Sequence, residues 1–202
     1  MSKSKAILIT AFEPFGGESI NPSQQILNEL PDIVNGYRIE KVLLPVEFIE
    51  APSDVINGYD KIEPMAVIML GQAGGRNSIS IETTGKNLMN ARIPDAKGYQ
   101  PQNEKIVPEG KDSIISTLPN NKIIDALNKV NIPVSLSNDA GGYVCNAVLY
   151  LILNHNKGLV PTGFIHIPYA KEQGHSPFME FRDMFNAIIT IINVVIEEFE
   201  VV

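Results

Sequence analysis

The chain has 202 residues, 44% of them apolar and 19% charged, the proportions of an ordinary globular protein of one domain or at most two small ones. Its 16 Lys+Arg against 23 Asp+Glu leave a net charge of −7, and no Lys/Arg run makes a local basic patch, which argues against nucleic acid as a partner. One cysteine excludes an internal disulfide, and nothing asks for an oxidising compartment.

The N-terminal segment Met1-Ser2-Lys3-Ser4-Lys5 leads into an apolar run too short for a signal peptide. Ala6 to Ala11 then reads as a buried strand. Asn21-Pro22-Ser23 signals a helix start, with the helix running to about Leu30. Tyr37 to Leu44 is a second strand, Phe48 to Gly58 a helix, and Ala66 to Leu70 a further continuous apolar strand stopped at Gly71. The stretch 84–117 is rich in Asn, Pro, Gly and Gln, and predicts an irregular excursion or hairpin over one end of a sheet. Asn121 to Val130 predicts a helix, Val134 to Ser137 a strand, Val144 to Asn156 a helix and Gly163 to Ile167 a short strand.

From Phe178 to Phe199, the residues Phe178, Phe181, Phe185, Ile188, Ile192, Val195 and Phe199 fall at helical spacing and form one apolar stripe. Its longest apolar run, Ala187 to Ile196, is shorter than the roughly 20 residues a membrane span needs. A cytoplasmic protein without a membrane segment is expected. Strands without polar alternation, separated by helices, predict a largely parallel sheet covered on both faces.

In such sheets ligands bind beyond the carboxyl ends of the strands. Four segments have the form of an apolar strand followed by an unusual loop: Ala11 to Gly17, Gly71 to Arg76, Asn138 to Cys145 and His166 to Tyr169. All four are expected on one rim. Cys145 follows a Gly-Gly turn at the start of a helix, where free N–H groups and the helix dipole favour a thiolate and can hold an oxyanion. A packed cysteine remains an equal reading of that position. Of three histidines, His155 lies roughly 15 Å along the helix from Cys145, at ~1.5 Å rise per residue. His175 sits in a surface loop, so elimination favours His166 as the base. Glu82, Asp139 and Asp95 all remain candidates to orient it. No metalloprotease or nucleophile-elbow motif occurs, no Cys/His cluster has metal-ligand spacing, and neither metal nor cofactor is called for.

The chain resembles the pyroglutamyl peptidase (pyrrolidone-carboxylate peptidase) family. The likeness rests on Thr10 to Gly17 with Asn21-Pro22-Ser23, Leu44 to Phe48, Gly71 to Arg76, Asn90 to Asp95, Ser116 to Pro119, Val144-Cys145-Asn146 and Gly163 to Pro168, in the family's order. It implies one catalytic α/β domain over 1–202, with a mostly parallel mixed sheet and helices on both faces, phosphorylase/hydrolase-like. It also implies a catalytic set of Glu82, Cys145 and His166. The family's ring-binding aromatics fall on Phe12, Phe15 and Tyr143, and its other site-lining positions on Gln72 and Arg92. The implied activity is a cysteine exopeptidase removing N-terminal pyroglutamate from peptides, without metal or cofactor, in a homodimer or tetramer. A catalytically impaired domain that binds a lactam or phosphate is the alternative. Where the family usually has arginine after the glutamate this chain has Thr83, and where it commonly has phenylalanine before Val144 it has Tyr143.

Overall fold

The computed structural model describes residues 5–200. In chain order, β1 (Ala6–Phe12), α1 (Pro22–Glu29), β2 (Ile33–Val34), β3 (Tyr37–Leu44), α2 (Glu50–Ile62) and β4 (Ala66–Gln72) make the first half. Then come β5 (Ile79–Glu82), β6 (Thr84–Lys86), β7 (Ser113–Ile115), α3 (Asn120–Lys129), β8 (Val134–Ser137), α4 (Val144–Asn156) and β9 (Thr162–Ile167). The chain closes with β10 (Tyr169–Ala170), a 3₁₀ turn at Lys171–Gln173, β11 (Phe178–Met179) and α5 (Phe181–Glu200). Seven strands form one mixed sheet in the order β2-β3-β1-β4-β9-β5-β8. The central strands β3, β1, β4 and β9 run parallel, whereas β5 is antiparallel to β9 and β2 to β3.

Side-chain parity divides the core. Ile7, Ile9, Ile68, Leu70, Ile81, Ile165 and Ile167 face α1, α3 and α5 and pack on Ile26, Ile123, Ile188 and Ile192. Leu8, Val67, Met69 and Phe164 face the other way, onto Val55, Val148 and Ile152 of α2 and α4. Both faces are therefore covered, which is why these strands carry no polar alternation.

Most elements lie within a residue or two of the sequence expectation. Helix α2 departs furthest, starting at Glu50 and running past Gly58 to Ile62. Gly58 is tolerated because it faces the sheet: a Cβ there would make only ordinary contact, 3.6 Å from Leu8. Phe178 does not join the final helical stripe. It belongs to β11, paired with Tyr169, and is exposed. The helix begins three residues later, where the Glu180 carbonyl accepts from the N–H groups of Asp183 and Met184.

The excursion between β5 and α3 is a hairpin-like arm, with β6 paired antiparallel to β7 and Met89 bridged to Glu104. It lies against the outer side of α4. A Cβ on Gly85 would sit 2.9 Å from the Cα of Tyr150, so strand and helix backbones are in direct contact there. This explains why α4 is apolar nearly all round: sheet on one side, arm on the other. Asn146 holds the two together. Its Nδ2 donates to the carbonyls of Lys86 and Leu88 (2.8 Å each), and its Oδ1 accepts from Lys86 N–H at 2.9 Å. Asn146→Ala leaves the Lys86 N–H and the Leu88 carbonyl without these partners beside a fully buried site, whereas the Lys86 carbonyl keeps the Leu88 N–H at 2.8 Å. A loss of about 2–4 kcal/mol in urea unfolding is expected, since each lost partner costs roughly 1–3 kcal/mol, less what water recovers. A loss below about 0.5 kcal/mol would remove the anchoring role.

Candidate active site

The four loops named from the sequence do meet. Phe15 and Gly16, Gln72 to Gly74 with Arg76, Asp139 to Tyr143 with Cys145, and His166 with Tyr169 line one cavity of about 700 Å³. The arm contributes Asn90, Arg92 and Ile93 to its wall. Asn90 N–H donates to Gly142 O at 2.8 Å, and a Cβ on Gly142 would meet the Asn90 backbone at 2.8 and 2.9 Å. Only glycine permits that approach, and the contact seats the arm directly on the turn preceding Cys145.

Cys145 is the second residue of α4, after an extended Tyr143 at the N-cap. Its sulfur hangs over Gly71 of β4, where an added Cβ would come within 3.2 Å of Sγ. In the parallel register Gly71 is the partner of His166, so the imidazole projects from the neighbouring strand on the same face. Glu82 reaches His166 diagonally. Ser80 lies opposite His166 and Glu82 opposite Phe164, all on the α4 face of an antiparallel pair. The result is a 2.7 Å hydrogen bond between His166 Nδ1 and Glu82 Oε1, both residues being buried. Arg76 Nη1 donates to the same oxygen at 2.7 Å. Oε2 has no well-formed hydrogen bond among the described residues, although the Ser137 hydroxyl is close enough to favour the carboxylate.

The charge state follows from these contacts. Burial alone would raise the Glu82 pKa. The hydrogen bond from His166, its charge whenever the ring is protonated, and the hydrogen bonds of Ser137 and Arg76 outweigh it and hold the group lowered, so Glu82 is ionised. Burial lowers His166 against the opposing pull of Glu82, so the ring is neutral. With Nδ1–H donating to Glu82, the Nε2 lone pair is free to take a proton. The thiol departs from the sequence expectation of a resting thiolate. Burial, then the Glu82 charge, push Cys145 up to about 12, against a small opposing effect of its own N–H and Arg76. The residue borders the cavity and is only half-buried, but the sulfur itself is densely surrounded, and desolvation outweighs the helix terminus.

The rival groups have other partners. Asp95 Oδ1 accepts from Lys97 and Tyr99 N–H and Oδ2 from Phe48 N–H, which makes it a loop organiser. Asp139 is exposed and pairs with Lys86 at 3.1 Å. His155 pairs with Asp60, and His175 with Glu18. Thr83, where the family usually has arginine, gives both its N–H (2.7 Å) and its hydroxyl (3.0 Å) to the Ser137 carbonyl, so it leaves the surroundings of Glu82 untouched.

Beside Cys145 lies a narrow slot walled by Phe12, Phe15, Val46, Gln72, Tyr143 and Val144, with free space of about 10 Å³, roughly one water. Phe15 and Tyr143 face each other at 6.3 Å between ring centroids. Tyr143 is fixed by an edge contact with Phe48 (5.4 Å) and by its hydroxyl, which donates to Pro94 O at 3.0 Å. The tyrosine thus keeps a ring face and adds a tether. Arg92 is exposed on the cavity wall. Arg76 was visible in the sequence only as part of a motif. Its role emerges from the fold, because residue 76 meets residue 82 through a loop whose shape the spacing does not reveal.

A family model described as pyroglutamyl peptidase matches residues 5–198. The chain belongs to the pyroglutamyl peptidase family. It is 44% identical over 198 residues to pyrrolidone-carboxylate peptidase 1 of Caldanaerobacter subterraneus subsp. tengcongensis, covering 95% of this chain and 98% of that one. The pyrrolidone-carboxylate peptidase of a Thermoanaerobacter species is likewise 44% identical, over 196 residues, covering 94% and 97%. Pyrrolidone carboxyl peptidase from the hyperthermophile Pyrococcus furiosus superposes with a TM-score of 0.92 at 40% identity, covering 96% of this chain and 99% of that one. The fold and the enzyme class implied by the sequence resemblance, an α/β cysteine peptidase acting at chain ends, are those of the family.

Proposed function

We propose that this chain, working as one catalytic domain over 1–202, removes N-terminal pyroglutamate from peptides, with Cys145 as nucleophile, His166 as base and Glu82 as the group orienting it. The observation that carries this is the ionised Glu82 bonded to a neutral His166 on the strand beside the glycine over which Sγ sits. That intact set speaks against a domain that only binds a ligand. The lactam seats between Phe12, Phe15 and Tyr143, which requires Phe15 and Tyr143 to part from their present spacing. Gln72 borders the ring and Arg92 the wider cavity. An acyclic N-terminal glutamate brings two charges that such a slot cannot solvate.

With the thiol pushed up to about 12, the sulfur holds its proton at pH 7, so deprotonation accompanies attack. His166 Nε2 takes the thiol proton as Sγ bonds to the carbonyl carbon after the lactam. The carbonyl oxygen becomes an oxyanion held by the Cys145 N–H at the helix N-terminus, with Arg92 beside it. His166 then gives its proton to the departing amine as the C–N bond breaks. Water, deprotonated by the same imidazole, hydrolyses the thioester and frees pyroglutamate.

Turnover of a fluorogenic pyroglutamyl amide is the direct test, and none by the wild type would remove this reading. Alkylation of the lone cysteine adds a second. Its rate should climb steadily from pH 6 to above 9, and complete labelling should abolish turnover. A rate already level from about pH 6 would show a resting thiolate–imidazolium pair instead. Because His166 lies below its ordinary 6.5, the acid limb of kcat/KM should fall below that pH.

Among the described residues no helix is long and apolar enough to cross a membrane. The lone thiol and acidic balance support a cytoplasmic enzyme, and the family's habit supports a homodimer or tetramer.

A further inference from the structure

The loop between β1 and α1 carries Phe15, one jaw of the slot, yet it has little packing of its own. Gly16 and Gly17 sit at φ +65 and +87, and a Cβ on either would touch nothing within 4 Å. Asn21 Nδ2 donates to Glu13 O, and Glu13 N–H to Leu44 O, at the ends of the loop. Its middle is held from across the cavity by Gln173, which ends the 3₁₀ turn after β10. Gln173 Oε1 accepts from Ala170 N–H at 2.9 Å. A backbone N–H can only donate, so this bond fixes which end of the carboxamide is oxygen. The Nε2 end consequently points at acceptors: Glu18 Oε2 at 3.1 Å, Gln72 Oε1 at 2.9 Å and, more distantly, Ile20 O at 3.5 Å. One half-buried amide ties the Phe15 loop to the end of β4 and to the segment after β9, three elements that all line the cavity. His175, two residues beyond the turn, pairs with the other Glu18 oxygen at 2.7 Å, so the carboxylate is gripped from one side by two residues of one segment.

We infer that Gln173 is a positioning residue: it braces the Phe15 loop against the end of β4 at Gln72 and so sets the width of the ring slot. The inference rests on the slot being the lactam site. Slot width governs how well the ring is held, whereas the Glu82–His166 pair lies on other strands. Loss of the brace therefore weakens ring binding and leaves the chemistry of the sulfur alone.

The test uses Gln173→Leu, which loses every bond, and Gln173→Glu, which keeps the acceptor for Ala170 but has no donor for Glu18 or Gln72. Two quantities are measured: the concentration of 2-pyrrolidone that half-protects Cys145 from iodoacetamide at pH 8.5, and kcat and KM on pyroglutamyl-7-amido-4-methylcoumarin. Both variants should need about tenfold more 2-pyrrolidone and show about tenfold higher KM, as for loss of one or two hydrogen bonds. Their kcat and unprotected alkylation rate should stay within twofold of wild type. Wild-type protection constants in either variant, or a fall in kcat with KM unchanged, overturn the brace while leaving the proposed activity intact. Lactam protection without wild-type turnover rejects the activity, and the shift in protection then still decides the brace. If 2-pyrrolidone fails to protect the wild type, slot and brace both fall.

Discussion

Cys145→Ser should lower kcat/KM on a pyroglutamyl amide by about 10⁴-fold or more, while the thermal midpoint stays within a few degrees of wild type. The reason lies in what surrounds the sulfur. The thiol is already pushed up to about 12 by burial and by the Glu82 charge, so the neutral imidazole receives its proton only in concert with attack. A hydroxyl is a weaker acid still, and the smaller oxygen sits further from a carbonyl placed for sulfur. The single-partner chemistry of the nucleophile leaves no second group to take over. Folding is spared because the side chain borders the cavity and only a small atom changes. Activity above about one-tenth of wild type, in protein purified free of the parent enzyme, would mean that another group attacks.

Glu82→Gln separates orientation from reactivity. The side chain keeps its shape but loses its charge, and an amide can turn an N–H toward His166 instead of an acceptor. The Nδ1–H tautomer is then no longer imposed, and kcat should fall by about 10²–10⁴-fold with little change in KM, by the logic established for serine-protease triads. Glu82 is what holds the His166 pKa up against burial and Arg76, so its removal moves the acid limb of kcat/KM to lower pH. Glu82 also raises the Cys145 pKa, so the variant thiol should alkylate faster than wild type at pH 8. Slower turnover with faster alkylation is a signature that general damage to the fold does not produce. If both rates fall together, Glu82 is a structural acid rather than the orienting group.

Elements whose residues answer to one local rule were legible in the chain. Asn21 caps α1 through Ser23 N–H, as the Asn-Pro-Ser signal indicates. The unalternating runs of β1, β4 and β9 are buried on both faces, and Val144–Asn156 is helical over the expected span. Departures occur where partners distant in sequence decide. Gly58 stays helical because Leu8 accepts its bare face, and Phe178 leaves the helix to pair with Tyr169. The short β6 and β7 exist only as each other's partners against α4.

The same division holds at the site. Residue types and motif order sufficed for the family and, through that resemblance, for proposing the set Glu82, Cys145 and His166, because a lone thiol and few histidines leave little room for other assignments. Composition could not choose among Glu82, Asp95 and Asp139. That choice depends on strand parity and an antiparallel register, which bring residues 82 and 166 together across 84 positions of chain. Nor could a helix-terminus argument foresee that burial pushes the Cys145 thiol up, because desolvation depends on what the fold packs around the sulfur. Local sequence specifies which groups exist and which backbone shapes they favour; distances, burial and therefore charge states belong to the assembled sheet.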